Sequence, residues 1–318
     1  LEPRIMHTPY LTRHPKNPII SKDILPFEAQ CVFNSGAAIY NNEIYMVLNT
    51  WTREWIPRFV VARSKDGVDF EIGAREVIPI PREYPYGTTD GIFDTRITGI
   101  EGSFYITYNT CSPVGGRIRL ARTNDFESFD DLGYITQPDH RNCVIFPEKI
   151  NGDYVRLERP NGEGGLGEIF ISYSKDLIHW GRTKLLLEKG DRYWESHKIG
   201  PGAPPVKTKD GWLVLYHACR KHMNGIMYNA GCMLLDLQDP SKIIGKMREC
   251  LLWPERDYEM MGNVPQVVFP TAALIHGGGD DLKIYYGAAD ASMCLATASV
   301  SFLVSKCLKG GPVIYRAA

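Results

Sequence analysis

The sequence has almost no net charge and no long hydrophobic run. Its 318 residues carry a formal net charge of −1, so they lack the basic excess that binding to nucleic acid or an anionic membrane requires. No apolar run approaches the roughly 18 residues that span a bilayer, and the N-terminus has no apolar core of a signal peptide. We therefore expect a cytoplasmic protein that binds neither nucleic acid nor membrane.

Metal and cofactor motifs are also scarce. The eight cysteines form no C-x-x-C pair, and several lie in apolar strand patterns where a free thiol packs as a small hydrophobe. This usage indicates reduced thiols. The stretch "HACRKH" at 217–222 offers two histidines and a cysteine, but no fourth ligand follows at a zinc spacing. The glycine-rich "GEGGLGE" at 162–168 lacks the strand–helix context of a nucleotide loop. No metal and no cofactor are expected.

Helical periodicity is nearly missing, and no amphipathic helix longer than a couple of turns is predicted. A tight turn followed by an alternating apolar strand recurs instead. The turns contain Asn-Asn, Glu-Gly, Asn-Gly or Asp-Gly, which tolerate the positive φ of hairpins. The repeated units begin at Tyr40, Ile100, Ile150, Thr208 and Gly277.

A second unit, a Ser/Thr-x-Asp turn followed by an aromatic residue, comes after three of these hairpins. It reads "ARSKDGVDFE", "ARTNDFESFD" and "SYSKDLIHWG", and "LLDLQDPSKIIG" takes its place in the fourth repeat. Each repeat then holds about four short strands, at a spacing typical of propellers. The pattern predicts an all-β fold, a five-bladed β-propeller forming one domain over residues 1–318. A pair of β-sandwiches is the alternative.

Polar residues that interrupt the inner strands are the candidate site, because inner strand ends of a propeller converge on one face. The first repeat offers Asn34, Ser35 and Arg58, and the fifth offers Asp290.

Basic candidates come from the third and fourth repeats. Together they would form an oxyanion pocket, since cationic side chains suit phosphate or carboxylate. The alternative is that each one pairs with a nearby acid, such as Glu148 or Glu195. These basic candidates are Arg141, Arg159, Lys198 and His217.

An acid, Asp94, precedes the second hairpin in "GIFDTRIT". Hydrophobic neighbours can keep a carboxyl protonated near neutral pH, which suits a general acid. The alternative is a salt bridge to Arg96. Asp90 is a second candidate for the acid, and Glu259 is a third with a structural role favoured.

These residues resemble glycoside hydrolase family 130, the mannoside phosphorylases, over nearly the whole chain. The resemblance rests on "FNSGA", "ARSKDG", "FDTRIT", "FPEKINGDYV", "WESHKIGPGAPP", "YEMMGNVPQVVFP" and "IYYGAAD". It implies a five-bladed propeller. The family's acid lies in a Glu/Tyr-Asp-Pro-Arg stretch, which here reads Phe93-Asp94-Thr95-Arg96, so the resemblance implies that Asp94 is the acid. The replaced proline and first residue leave loop shape and subsite preference open.

The resemblance also implies binding residues. Its phosphate ligands correspond to Arg141, Arg159, Lys198 and His217. Its mannosyl-binding residues correspond to Asn34, Ser35, Arg58 and Asp290, with Tyr228 a further candidate.

The implied reaction is inverting phosphorolysis of a β-mannoside to α-mannose 1-phosphate, with inorganic phosphate as co-substrate. Phosphate is itself the nucleophile, so one protein carboxyl suffices, whereas an inverting hydrolase needs two. The resemblance further implies that a mannosyl hydroxyl relays the proton. A β-mannosidase and a non-catalytic sugar-binding propeller are the alternatives. Linkage, acceptor sugar and the formation of a homo-oligomer stay open.

Three tryptophans, Trp51, Trp55 and Trp194, suit either sugar stacking or the core, and the core is favoured for Trp194.

Overall fold

The chain folds into five antiparallel sheets arranged around one axis. The computed structural model describes residues 10–78, 91–112, 115–161, 167–190, 192–223 and 225–314. Within these ranges the inner strands of the first four sheets contact one another in order. The first strand of the fifth sheet contacts the two middle strands of the fourth sheet and closes the ring against the first sheet. The prediction of a five-bladed β-propeller is confirmed, and the alternative of two sandwiches is wrong.

Each sheet is one blade. Blade one is β2–β5, blade two β6–β9, blade three β10–β13, blade four β14–β18 and blade five β19–β21 with β1. The strands are β1 (Thr12–Arg13), β2 (Ala29–Tyr40), β3 (Glu43–Thr52), β4 (Pro57–Ser64), β5 (Glu71–Val77), β6 (Ile92–Ile100), β7 (Ser103–Ser112), β8 (Gly115–Thr123), β9 (Asp130–Tyr134), β10 (His140–Ile145), β11 (Tyr154–Pro160), β12 (Ile169–Ser174), β13 (Trp180–Leu187), β14 (Lys198–Pro201), β15 (Val206–Lys207), β16 (Trp212–His222), β17 (Gly225–Leu235), β18 (Ile243–Lys246), β19 (Val268–Ile275), β20 (Asp281–Ala288) and β21 (Ser292–Ser299).

The predicted hairpins connect the first and second strands of the blades. Asn41 and Asn42 have φ of 49° and 61° between β2 and β3, which is the left-handed backbone of a two-residue turn. Glu101 and Gly102 do the same between β6 and β7, with φ of 51° and 83°.

The Ser/Thr-x-Asp units close the outer hairpins. In blade one, Asp66 Oδ1 accepts hydrogen bonds from the backbone N–H groups of Val68 and Asp69, at 2.8 and 2.9 Å. These donors favour the charged carboxylate and lower the pKa of Asp66 to about 2. Asp125 and Asp176 accept equivalent pairs of bonds in blades two and three. The repeated motif is therefore a structural turn.

Blade five takes its outer strand from the other end of the chain. The short β1 pairs with β21, and Arg13 Nε donates to Glu259 Oε1 at 2.8 Å. The fully buried Glu259 carboxylate also accepts from the Tyr286 hydroxyl at 2.8 Å. Glu259 thus joins the N-terminal segment to blade five, a structural role.

Two α-helices lie in the described part, α1 (Asp257–Met260) and α2 (Val300–Gly310). The expectation of no helix beyond a couple of turns is wrong for α2, which has 11 residues. Ser299 caps it by accepting from Phe302 N, and its apolar face packs on blades four and five. That face follows helical spacing at Val300, Leu303, Val304 and Cys307. Neither helix is long and apolar enough to cross a membrane.

The core consists of apolar layers between neighbouring blades. One layer joins blades three and four through residues such as Phe146 and Trp212, whose rings lie edge to face at 5.2 Å. Trp194 packs at the edge of this layer and stacks on Tyr216, in agreement with the core interpretation. The layers fix the angles between blades and leave the inner strand ends to form the site.

Candidate active site

Bulges in three inner strands place a left-handed residue at the axis. The pairing shifts in β2 after Phe33, in β6 after Phe93 and in β10 after Arg141. A β-bulge re-aims a side chain out of the strand's alternation. The residues at these bulges, with positive φ, are Asn34 (46°), Asp94 (59°) and Asn142 (53°).

Three asparagine amides hold the Asp94 carboxylate. Asn34 Nδ2 donates to Oδ1 at 2.9 Å, while Asn109 and Asn142 donate to Oδ2 at 2.8 and 3.1 Å. The predicted hydrophobic enclosure of this carboxyl is therefore wrong, because its polar atoms meet amides. These donors fix the position of both oxygens in the site.

Arg96 hydrogen-bonds to backbone carbonyls and not to Asp94. Its Nε donates to the carbonyl of Gly202 and its Nη1 to that of Thr95 at 3.0 Å. No ion pair among the described residues joins it to Asp94, so the predicted alternative of a salt bridge is wrong. Burial lowers the pKa of Arg96 to about 10. The guanidinium links blade two to the segment between β14 and β15 of blade four, which gives Arg96 a structural role.

Asp290 shares an amide with Asp94. It follows β20 at a φ of 47°, and its Oδ1 accepts from Asn34 Nδ2 at 3.1 Å. Burial, then the nearby charge of Asp94, raises the pKa of Asp290 to about 7. Gly287 makes room for the shared amide, since a Cβ there would lie 1.8 Å from Asn34 Oδ1.

Three of the four basic candidates line the same cavity as Asp94, namely Arg141, Arg159 and Lys198. Within the described part of the chain, none of them forms an ion pair. The acids proposed as their alternative partners are occupied elsewhere: Glu148 pairs with Lys207 and Glu195 with Lys246. Cationic groups without a carboxylate partner are suited to receive an anion.

His217 lies behind Arg159. Its ring is fully buried and its Nε2 accepts from Arg159 Nη1 at 2.7 Å. Burial, followed by the charge of Arg159, lowers the pKa of His217 well below its usual value. The imidazole is therefore neutral and orients the guanidinium. Arg159 pairs with Arg141 in blade three, and His217 pairs with Gly200 in blade four.

Lys198 begins β14, and its Nζ lies 4.8 Å from the centre of the Tyr228 ring. Partial burial lowers the pKa of Lys198, and the charges of Arg159 and Arg141 add to the effect. A bound anion would favour the charged form of Lys198 against its burial and against the repulsion from Arg159 and Arg141.

The predicted sugar ligands divide into two groups. Asn34, Tyr228 and Asp290 line the cavity. Ser35 is buried beneath it, where its Oγ accepts from Asn49 N at 3.0 Å. Arg58 lies over the Phe27 ring at 3.8 Å and donates to Ala74 O at 3.0 Å. Among the described residues around the cavity, neither Ser35 nor Arg58 forms part of the wall.

Two site residues escaped the sequence analysis, Asn109 and Asn142. Asn109 lies in "YNTC", which repeats "LNTW" around Asn49 one blade earlier. Asn142 follows Arg141 directly. The repeated Asn-Thr pair was the available signal. Asp90 and residues 162–166 lie outside the described residues.

The cavity has a volume of about 350 Å³, within the range of small-molecule sites. Its floor is polar and its rim carries aromatic and aliphatic side chains. No cluster of three or more metal-ligating side chains occurs in the described ranges. The lining residues are Cys31, Phe33, Asn34, Trp51, Trp55, Phe93, Asp94, Arg141, Asn142, Arg159, Lys198, Tyr228, Asn263, Val264, Val267, Phe269 and Asp290.

Comparison with known proteins identifies the family of this chain. The family model Glyco_hydro_130, described as beta-1,4-mannooligosaccharide phosphorylase, matches residues 9–308. The chain therefore belongs to glycoside hydrolase family 130, as the sequence resemblance predicted.

Similar proteins differ in the linkage in their names. A beta-1,4-mannooligosaccharide phosphorylase of Ruminococcus albus is 34% identical over 92% of this chain and 89% of that protein. A 1,2-beta-oligomannan phosphorylase of Thermoanaerobacter sp. is 34% identical over 83% of this chain and 88% of its own length. The solved beta-1,2-mannobiose phosphorylase of Listeria innocua, in complex with beta-1,2-mannobiose, has a TM-score of 0.83 at 29% identity. It covers 93% of this chain and 99% of that one.

Proposed function

We propose that this protein is a β-mannoside phosphorylase that transfers a mannosyl unit from a β-mannoside to inorganic phosphate. The observation that carries the proposal is one cavity containing an amide-held carboxyl, Asp94, and three cations that form no ion pair among the described residues. The relatives named for β-1,4- and β-1,2-mannoside phosphorolysis support the substrate class.

The basic residues of the cavity would bind the nucleophile, which is inorganic phosphate. Arg141, Arg159 and Lys198 would bind phosphate and offset its charge, so that it approaches the anomeric carbon beside an acidic residue without repulsion. His217 keeps the Arg159 guanidinium in place. In this proposal no cofactor takes part, and phosphate is a co-substrate.

Asp94 acts as the general acid for the leaving sugar. The bond between the anomeric carbon and the glycosidic oxygen breaks, phosphate oxygen bonds to the anomeric carbon with inversion, and the proton reaches the departing oxygen. A mannosyl hydroxyl beside Asp94 serves as the relay. The amides of Asn34, Asn109 and Asn142 hold the carboxyl in place while its charge changes.

Hydrolysis is a weaker candidate on geometric grounds. Among the described residues, the second carboxyl in the cavity is Asp290. Its Oδ1 and that of Asp94 lie 3.1 and 2.9 Å from one nitrogen, Asn34 Nδ2. An inverting hydrolase separates its two carboxyls by about 6.5–9.5 Å to admit a water molecule. Oxygens bonded to the same N–H donor group are closer than that.

Phosphate dependence tests the proposal. Incubation with β-1,4- and β-1,2-linked mannobiose should give α-mannose 1-phosphate only when phosphate is supplied. Release of free mannose at the same rate without phosphate would overturn it. The variant Lys198→Ala should raise KM for phosphate by about tenfold or more. Lys207→Ala, which removes an exposed cation paired with Glu148, is the matched control and should leave that KM unchanged.

A further inference from the structure

Two tryptophans of blade one form an exposed aromatic corner at the cavity rim. Trp51 and Trp55 both line the cavity, with ring centres 5.7 Å apart and planes at 89°. Trp55 is 52% exposed. Exposing a large aromatic surface to water is unfavourable, so an exposed indole in a cavity wall suggests a ligand that covers it.

Backbone hydrogen bonds and a close glycine position this corner. Trp55 has a φ of 62°, an uncommon backbone for a bulky residue that persists where neighbours enforce it. Its N–H donates to Thr52 O at 3.0 Å, and Ile56 N donates to Thr52 Oγ1 at 3.3 Å. Trp51 is held from behind by Gly91, where a Cβ would come within 2.9 Å of the indole.

Ring order places this corner opposite the basic group. The inner strand of blade one, β2, contacts β6 of blade two and β19 of blade five, so blade one borders blades two and five. Arg141 and Arg159 belong to blade three, and Lys198 to blade four. Trp51 and Trp55 therefore lie across the axis from the basic residues that are proposed to bind phosphate.

An inverting displacement determines which group lies opposite the phosphate. The nucleophile and the leaving group occupy opposite faces of the anomeric carbon in a single displacement. With phosphate on blades three and four, the departing sugar leaves towards blade one. We propose that the Trp51–Trp55 corner is the subsite for the acceptor sugar, with Trp55 stacking against the apolar face of its pyranose ring. This inference rests on the proposed phosphorylase function.

The neighbouring surface is consistent with a sugar. Val264, 39% exposed, extends the apolar rim on the blade-five side. Asn263 also lines the cavity and fixes the adjacent loop by donating to Asp290 O at 2.9 Å. An apolar wall with few polar groups favours ring stacking over a tight net of hydrogen bonds, which predicts tolerance for several pyranose acceptors.

Reverse synthesis separates acceptor from donor. Wild-type protein, Trp55→Ala and Trp55→Phe are given α-mannose 1-phosphate with mannose, glucose or N-acetylglucosamine, and KM is measured for each substrate. Trp55→Ala should raise KM for the acceptor about tenfold and leave KM for α-mannose 1-phosphate within about twofold. Trp55→Phe should restore most of the loss. Trp253→Ala is the control, since Trp253 is 37% exposed and belongs to no part of the cavity wall.

An unchanged acceptor KM in Trp55→Ala, or an equal rise of both KM values, would overturn the inference while the phosphorylase function stands. Tryptophan fluorescence, titrated with mannose in the absence of donor, distinguishes failure of the function. Quenching in wild type that is lost in Trp55→Ala, without any synthesis, would keep the sugar platform and reject the phosphorylase. Neither synthesis nor quenching would reject both.

Discussion

Blades one and two have the same backbone conformation at the axis, but they place different side chains there. Each inner strand bulges at one left-handed residue, Asn34 in blade one and Asp94 in blade two. Each bulge adjoins an asparagine of the next strand, because Phe33 pairs with Asn49 and the residue before Asp94 pairs with Asn109. Both blades therefore contain the same two positions: a left-handed residue at the bulge and an asparagine beside it on the next strand.

The two blades differ in the hydrogen bonds of the asparagine beside the bulge. In blade two, the Asn109 amide donates to Asp94 Oδ2 at 2.8 Å and accepts from Asn142 N at 3.0 Å. In blade one, both amide atoms of Asn49 are buried without a hydrogen-bond partner among the described residues. The comparison teaches that the repeat provides geometry, while one acid at one bulge gives its neighbouring amide a function.

Making blade two resemble blade one should have the largest effect. Asp94→Asn keeps the side-chain shape but removes the proton donor, and general acids contribute about 10²- to 10⁴-fold to rate. We expect kcat to fall by about 10³-fold in phosphorolysis, while the thermal unfolding midpoint stays within a few degrees. Turnover of the variant at the wild-type rate would exclude Asp94 as the acid.

The amides of Asn34, Asn109 and Asn142 form a clamp on the Asp94 carboxyl. Removing the blade-two member of this clamp, Asn109, should have the next largest effect. Asn109→Leu preserves volume but leaves Asp94 Oδ2 with Asn142 as its remaining donor and leaves Asn142 N without its acceptor. A displaced reacting group costs up to about 100-fold in rate, so kcat should fall about 10- to 100-fold with a smaller change in KM. A rise in KM at unchanged kcat would show that Asn109 affects binding instead. Steady-state kinetics with varied disaccharide distinguishes the two.

Protonation of Asp290, which shares the Asn34 amide with Asp94, should make the free energy of unfolding depend on pH. The pKa of Asp290 is raised from 3.8 to about 7, so the folded state holds a proton that the unfolded chain releases between these values. Its contribution to stability is present in full at low pH, declines as pH rises from about 4 to about 7, and is constant above.

Asp290→Asn should remove this decline. The free energy of unfolding of wild type minus that of the variant, measured in denaturant at each pH, should decrease from pH 4 to pH 7 and then level off. A difference that is flat over this interval, or that rises, would contradict the raised pKa. Asp239→Asn serves as control, because the pKa of Asp239 is lowered and its contribution has the opposite sign.

The sequence predicted the blades because each hairpin has a local signature. Turn pairs such as Asn41-Asn42 require positive φ, and an alternating strand follows. Closure of blade five was not predictable in this way, since β1 has two residues and no periodicity. The helix α2 had a readable apolar spacing that was overlooked among strand patterns.

The structure brings together predicted site residues that lie at strand ends, and it separates one whose side-chain direction decides its place. Arg159 and Lys198 line one cavity. Arg58 also ends up near a strand start, but its guanidinium stacks on Phe27 and turns from the cavity. A strand pattern gives the face of a residue, and the bulges that re-aim Asn34 or Asp94 add a rotation that alternation does not contain.

The smallest effect is expected from the counterpart of the clamp in blade one, Asn49→Leu. Its backbone N–H keeps the bond to Ser35 Oγ, and its amide has no bond within the described structure to lose. Removing unsatisfied buried polar atoms is neutral or stabilising, by up to about 1 kcal/mol, so kcat should stay within about twofold and the free energy of unfolding should not fall. Denaturant unfolding and the kinetics used for Asn109→Leu measure both quantities side by side. If Asn49→Leu lowered kcat as much as Asn109→Leu, the two blades would serve the reaction alike, and the asymmetry that places the chemistry in blade two would be wrong.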